Sequence, residues 1–150
     1  MVYIYINIFF EGRIFMDIEI SELNPNKEDY IKLHQTTGWN AKGLYTYEQL
    51  YNAICNSWYS VSIYHKKNLI GYGRIISDGI YQTLICDVMV HSEYQQQGIG
   101  KKVMETLLKK CDKEGIKWVQ LFCAKGKQNF YKKLGFDSRD ADAPGMSLFL

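Results

Sequence analysis

The chain has 150 residues, 47% of them apolar, and a formal net charge of +2. That length fits one domain with a real core, and the near-neutral balance argues against a nucleic-acid surface. Its four cysteines, Cys55, Cys86, Cys111 and Cys123, form no Cys-x-x-Cys pair and lack histidine companions at zinc spacing, so no metal is expected.

The opening "MVYIYINIFF" is apolar but covers about half a bilayer span, and Asn7 interrupts it. No positive segment precedes it and no small-residue cleavage site follows, so neither a signal peptide nor a membrane anchor is expected. Its alternation, Tyr3, Tyr5, Asn7 and Phe9 against Val2, Ile4, Ile6 and Ile8, has the period of a strand. Met16 begins a second strand-like stretch, "MDIEIS". Residues 1–15 are therefore an added edge strand or an extension before the natural start, and residues 16–150 are the working domain.

"NPNKEDYIKLHQTTGW" predicts a helix capped by Asn24 or Asn26, with Pro25, Glu28 and Asp29 in or near its first turn. Tyr30, Leu33 and His34 share a face, and Gly38 stops the helix. "TYEQLYNAICNSW" predicts a second helix, capped by Thr46, with Leu50, Ala53, Ile54 and Trp58 as its apolar stripe. The period then changes to two. "YSVSIYHK" alternates Val61 and Ile63 against Ser60 and Ser62, "KKN" turns, and "LIGYGRIIS" continues. Asp78-Gly79 marks a hairpin, and "IYQTLICDVMVH" follows.

After the turn "HSEYQQQGIGKK" comes a helix with Val103, Met104, Leu107, Leu108 and Cys111 on one face, ended by Gly115. "WVQLFCA" is apolar almost throughout, as for a strand covered on both faces. Cys86 and Cys123 lie in such runs and are expected to be reduced core residues, which suits the cytoplasm. A strand–helix–strand unit implies parallel strands with a right-handed crossover. "KQNFYKKL" is a short helix closed by Gly135, and "MSLFL" is a last strand. The expected fold is one α+β domain: a mixed, mostly antiparallel central sheet with one parallel strand–helix–strand unit and flanking helices.

The loop at the carboxyl end of the first parallel strand is where open α/β sheets commonly bind ligands. A helix starting near Gly100 aims free N–H groups and a positive dipole end at that edge. Gly98 and Gly100 let the backbone approach closely, and Gln95 and Lys101 add donors, so the turn is read as an anion site, for phosphate. It is not a Walker loop, because Gln95 and Lys102 stand where glycine and Ser or Thr are needed. It is not the dinucleotide fingerprint either, because Val103 replaces the third glycine.

Gln95-x-x-Gly98-x-Gly100 resembles the acetyl-CoA signature of the GCN5-related N-acetyltransferase family. "DVMV" leads into it, and "NFYKKLGF" resembles the family's later helix and turn. The resemblance runs from Met16 to Leu150. It implies that the amides of Gln96, Gln97, Gly98, Ile99, Gly100 and Lys101 hold the diphosphate of acetyl-CoA. It implies that the pantetheine arm lies along Val88, Met89 and Val90, with the Met89 amide as oxyanion donor, and that Asn129 contacts the cofactor or caps its helix.

The implied reaction is direct acetyl transfer from sulfur to the primary amine of a small molecule, in a ternary complex. The alternatives are a protein or peptide acceptor, or a non-catalytic acyl-CoA sensor. Tyr131 matches the family's acid, with aromatic packing as its other reading. The base is Asp87 or ordered water, Asp87 being alternatively a carboxylate paired with Arg74. Trp39, Tyr45, Tyr47 and Tyr72 line an acceptor pocket or belong to the core. Asp140 and Asp142 attract a cationic amine or lie in a solvated loop. A homodimer is expected, with no nucleic-acid or membrane partner.

Overall fold

A computed structural model describes residues 3–10 and 13–149. Val2 and Leu150, which belong to the first and last expected strands, lie outside the described residues. The elements are β1 (Tyr3–Phe10), β2 (Arg13–Ser21), α1 (Lys27–Gln35), α2 (Tyr47–Cys55), β3 (Tyr59–His65), β4 (Asn68–Ser77), β5 (Gln82–Val90), α3 (Ile99–Lys113), β6 (Trp118–Leu121) and α4 (Gln128–Lys132), with a 3₁₀ turn at Ser92–Tyr94. Residues 1–120 form one compact unit and residues 121–150 a second.

The six strands form one sheet in chain order. β1 to β5 pair antiparallel, and β5 and β6, joined through α3, are the parallel pair. The second strand starts at Arg13, three residues before Met16. Its Met16, Ile18 and Ile20 are buried while Asp17 is exposed, which is the period-two pattern of the sequence. β3 departs from that pattern. Ser60 and Ser62 are as buried as Val61 and Ile63, because β3 lies inside the sheet, and the Ser62 hydroxyl is satisfied by donating to the Leu23 carbonyl at 2.8 Å.

Asn26, not Asn24, caps α1, its Oδ1 accepting from the Asp29 amide at 2.9 Å. Asn24 instead donates to the Ile54 carbonyl and accepts from the Tyr72 hydroxyl. α1 closes at Thr36, before Gly38. Thr46 caps α2 in a full capping box with Gln49. Trp58 falls beyond this helix, and Ala53 is exposed. The core on this side is Tyr30, Leu33, Ile54, Leu69, Tyr72 and Met89.

α3 covers the other face. A Cβ on Gly71 or Gly73 of β4 would come within 2.7 Å of Ile99 or 2.6 Å of Val103. These glycines let α3 lie directly on the strand, with Val103, Met104, Leu107 and Cys111 buried beneath it.

Three strand expectations fail. β6 is only four residues long, and Trp118, Phe122 and Cys123 are exposed, so it is not a strand covered on both faces. Cys86 is half-buried; Cys111 is the buried thiol. Residues 146–149 of "MSLFL" form no strand, and Met146, Leu148 and Phe149 are more than three-quarters exposed. Apolar composition alone does not bury a segment, and a strand needs a ladder partner.

Candidate functional site

β5 carries the site's first irregularity. Tyr72 pairs with Met89 and Arg74 with Cys86, so Asp87 and Val88 together oppose Gly73. This is a β-bulge. Asp87 adopts φ +52°, in the left-handed region. Its carboxylate accepts from Arg74 Nε at 2.5 Å, and the two side chains are 27% and 14% exposed. Burial opposes the charge of Arg74, and Asp87 beside it more than offsets this, so its pKa stands above the ordinary value.

Asp87 acts electrostatically on Tyr30, His34 and Tyr72. Burial pushes both tyrosine hydroxyls up. It pushes His34 down, with Asp87 opposing. Tyr72 is fully buried, so it is a core residue. Trp39 and Tyr45 are more than half exposed. His34 touches Trp39 and Tyr47 edge-on, each at 6.2 Å. Tyr30 and His34, which share a face of α1, are both buried.

Beyond Val90 the loop is tied by its own side chains. His91 Nδ1 accepts from the Glu93 amide, and the His91 amide donates to the Ile70 carbonyl at 2.9 Å. Tyr94 packs against His91 and His65, each at 5.9 Å. Gln95 Nε2 donates to the Val90 carbonyl at 3.2 Å, and Gln97 Nε2 to the Glu93 carbonyl at 2.8 Å. The side chain of Gln95 therefore braces the loop. Gln96 at φ +62° and Gly98 at φ +84° turn the chain into α3. Gly98 occupies the cap position with no side-chain cap bond, and a Cβ there would meet nothing within 4 Å. The first amides of α3, including those of Ile99, Gly100 and Lys101, precede the intrahelical ladder, whose first bond runs from Lys102 to the Gly98 carbonyl. The Lys101 side chain is largely exposed.

β6 leaves part of β5 uncovered. Gln120 donates to Gln82 at the start of β5, at 3.1 Å. β6 ends one residue later, whereas β5 continues to Val90. Val88, Met89 and Val90 thus run past the end of β6 and lead directly into the loop. A cavity of about 230 Å³ opens between α1 and the start of this loop, bordered by Lys32, Asn68, His91, Glu93 and Tyr94.

Asn129 and Tyr131 belong to the second unit. α4 is capped by Lys127, so Asn129, exposed in the helix, is not its cap. Tyr131 is half-buried and touches Phe130 at 5.0 Å and Phe136 at 6.1 Å. Burial, and then Cys123, push its hydroxyl pKa up. Asp140 and Asp142 are exposed.

Residues 57–138 match the acetyltransferase (GNAT) domain. The uncharacterized N-acetyltransferase ycf52 of Gracilaria tenuistipitata var. liui is 34% identical over 125 residues, 81% of this chain and 67% of that one. A probable acetyltransferase of meticillin-resistant Staphylococcus aureus has a similar structure, with a TM-score of 0.77 at 29% identity over 89% of this chain and 99% of its own. PaiA N-acetyltransferase of Thermoplasma acidophilum, solved in complex with coenzyme A, gives a TM-score of 0.68 over 85% of this chain and 94% of its own. At 23% identity, that likeness is one of fold.

Proposed function

The chain belongs to the GCN5-related N-acetyltransferase family and is an acetyl-CoA-dependent N-acetyltransferase; we propose that its acceptor is the primary amine of a small molecule, attacking directly in a ternary complex. The observation that carries the donor half is the run of β5 past β6 into a glycine turn and the uncapped start of α3. The amides from Gln96 to Lys101 would take the diphosphate. Val88, Met89 and Val90 would pair with the pantetheine arm as an added strand, and Asn129 would contact the cofactor. The solved relative with coenzyme A supports a donor of this class.

The neutral amine attacks the thioester carbonyl carbon and forms the C–N bond. The carbonyl oxygen becomes an oxyanion, which an amide of β5 that faces away from β4 would stabilise; Met89 is set opposite Tyr72 in a hydrogen-bonded pair of the ladder, which turns its own N–H toward β4. The C–S bond then breaks with its electron pair on sulfur, and the amine's extra proton passes to water. Water is the proton acceptor in this reading because a carboxylate oxygen of Asp87 is committed to Arg74. The Tyr131 hydroxyl would serve the departing thiolate. A phenol near pKa ~10 is less acidic than a thiol near ~8.5, so full transfer is uphill by roughly 2 kcal/mol. Burial steepens that further. The phenol therefore acts by hydrogen bonding while the C–S bond breaks. The four free thiols suit a reducing compartment such as the cytoplasm. A homodimer is part of the same reading.

The test is thiol release from acetyl-CoA with polyamines, arylalkylamines, amino acids and short peptides. Turnover with a small amine above that with any peptide is the expected result. Turnover confined to peptides would replace the small-molecule reading. Tight acetyl-CoA binding without any turnover would replace catalysis with sensing.

A further inference from the structure

We propose that Arg74 is a positioning residue for the acetyl donor: its ion pair with Asp87 holds the β5 bulge that sets the orientation of Val88, Met89 and Val90. The inference rests on the donor reading above for what those residues hold. It adds a device that fixes how they are presented.

Asp87 lies mid-strand at φ +52°. A strand residue with a side chain does not adopt that region without something to hold it, although aspartate tolerates it better than most. Arg74 provides the hold. Its Nε bonds Asp87 Oδ2 at 2.5 Å, while Nη1 lies 3.4 Å from the Ala53 carbonyl and 3.5 Å from Ser57 Oγ, at the end of α2. The guanidinium therefore bridges the bulge to the helix layer. On the opposite face Val88 packs beside Gly73, which α3 covers through Val103 and Leu107. The bulge is braced from both sides of the sheet.

Strand geometry gives the consequence. If Asp87 returned to an extended conformation, two residues could no longer oppose Gly73, and the end of β5 would slip by one position. A one-residue slip turns every side chain to the other face. Met89 would leave its buried cluster with Tyr30, Leu33, Ile54, Leu69 and Tyr72, and the amides facing the donor would be exchanged for their neighbours. Asp87 in this account serves through its backbone conformation and its partner, not as a base.

Glycine adopts a positive φ without a clamp, which makes the proposal testable by rescue. Four variants would be compared: Arg74→Met, Asp87→Ala, Asp87→Gly and the double Arg74→Met/Asp87→Gly. Steady-state kinetics, acetyl-CoA calorimetry and amide hydrogen exchange at residues 88–90 would be measured on each. Arg74→Met and Asp87→Ala should lose tenfold or more in kcat/KM for acetyl-CoA, with faster exchange at residues 88–90. Asp87→Gly and the double variant should stay within about threefold of wild type in both readouts. Arg74→Lys, which keeps the charge but lacks the guanidinium fork, should fall between and replaces Arg74→Met if the latter does not fold.

A folded Asp87→Gly that binds acetyl-CoA normally but does not turn over would give Asp87 a chemical role and overturn the proposal. So would a double variant no better than Arg74→Met, or a fully active Arg74→Met. If the wild type bound no acetyl-CoA, the donor reading would fail, whereas the exchange pattern would still decide whether Arg74 holds the bulge.

Discussion

Tyr131 is where a single atom separates the chemical role from the packing role. Tyr131→Phe keeps the ring and its contacts with Phe130 and Phe136. If the hydroxyl assists thiolate departure by hydrogen bonding, kcat should fall by roughly 10²-fold. Affinity for acetyl-CoA should change little, because in the proposed reading backbone groups of the α3 turn hold the diphosphate. Wild-type kcat on its best amine, where chemistry limits the rate, would remove Tyr131 from the mechanism. His34 supports a stability prediction. Its imidazole is buried, and burial lowers its pKa below the unfolded value near ~6.5. The unfolded chain therefore takes up this proton first as pH falls. The stability associated with neutral His34 is fully present above about 6.5 and is lost as pH falls toward the lower folded value. The drop in melting temperature from pH 7.5 to 5.5 should be larger in wild type than in His34→Phe; an equal drop in both refutes the assignment.

At the scale of elements, α3 both packs the core and presents the loop, and the two roles can be separated at Gly100. Gly98 cannot serve, because its φ of +84° penalises any side chain whether or not a ligand binds. Gly100 lies inside the helix, where valine is no worse than glycine. Gly100→Val should therefore leave the melting temperature within a few degrees of wild type while abolishing acetyl-CoA binding in calorimetry. Unchanged affinity in the folded variant would refute the diphosphate site. This turn was legible in the sequence because it rests on glycine spacing and a helix start. The α2 cap was legible for the same reason, Thr46 being a local signal. The bulge was not, since an aspartate at φ +52° inside an apolar run leaves no periodic mark. The ion pair of Asp87 with Arg74, 13 residues away, was one of the two readings the sequence offered for Asp87 and is present; what the sequence did not show is the left-handed backbone it accompanies.

At the scale of the whole chain, legibility failed where composition stood in for packing. "WVQLFCA" and "MSLFL" are apolar enough for buried strands, yet most of their described residues are exposed or form no strand. The amino-terminal extension is the converse case, because its alternation did correspond to a paired strand, β1 against β2. β1 ends the sheet, so it adds pairing to β2 without touching the register of β3, β4 and β5. A chain beginning at Met16 keeps the contacts of Glu19, Ile20 and Ser21 with β3 and keeps the buried side chains of Met16, Ile18 and Ile20. It should fold, with a lower melting temperature, and bind acetyl-CoA as the full chain does. The uncharged strand "YIYINIFF" carries none of the lysines or prolines that usually guard an edge. Light scattering of both chains therefore tests assembly: a dimer in the full chain and a monomer from Met16 would assign the interface to β1. A shortened chain that is folded and monomeric yet inactive would show that the site depends on the partner subunit.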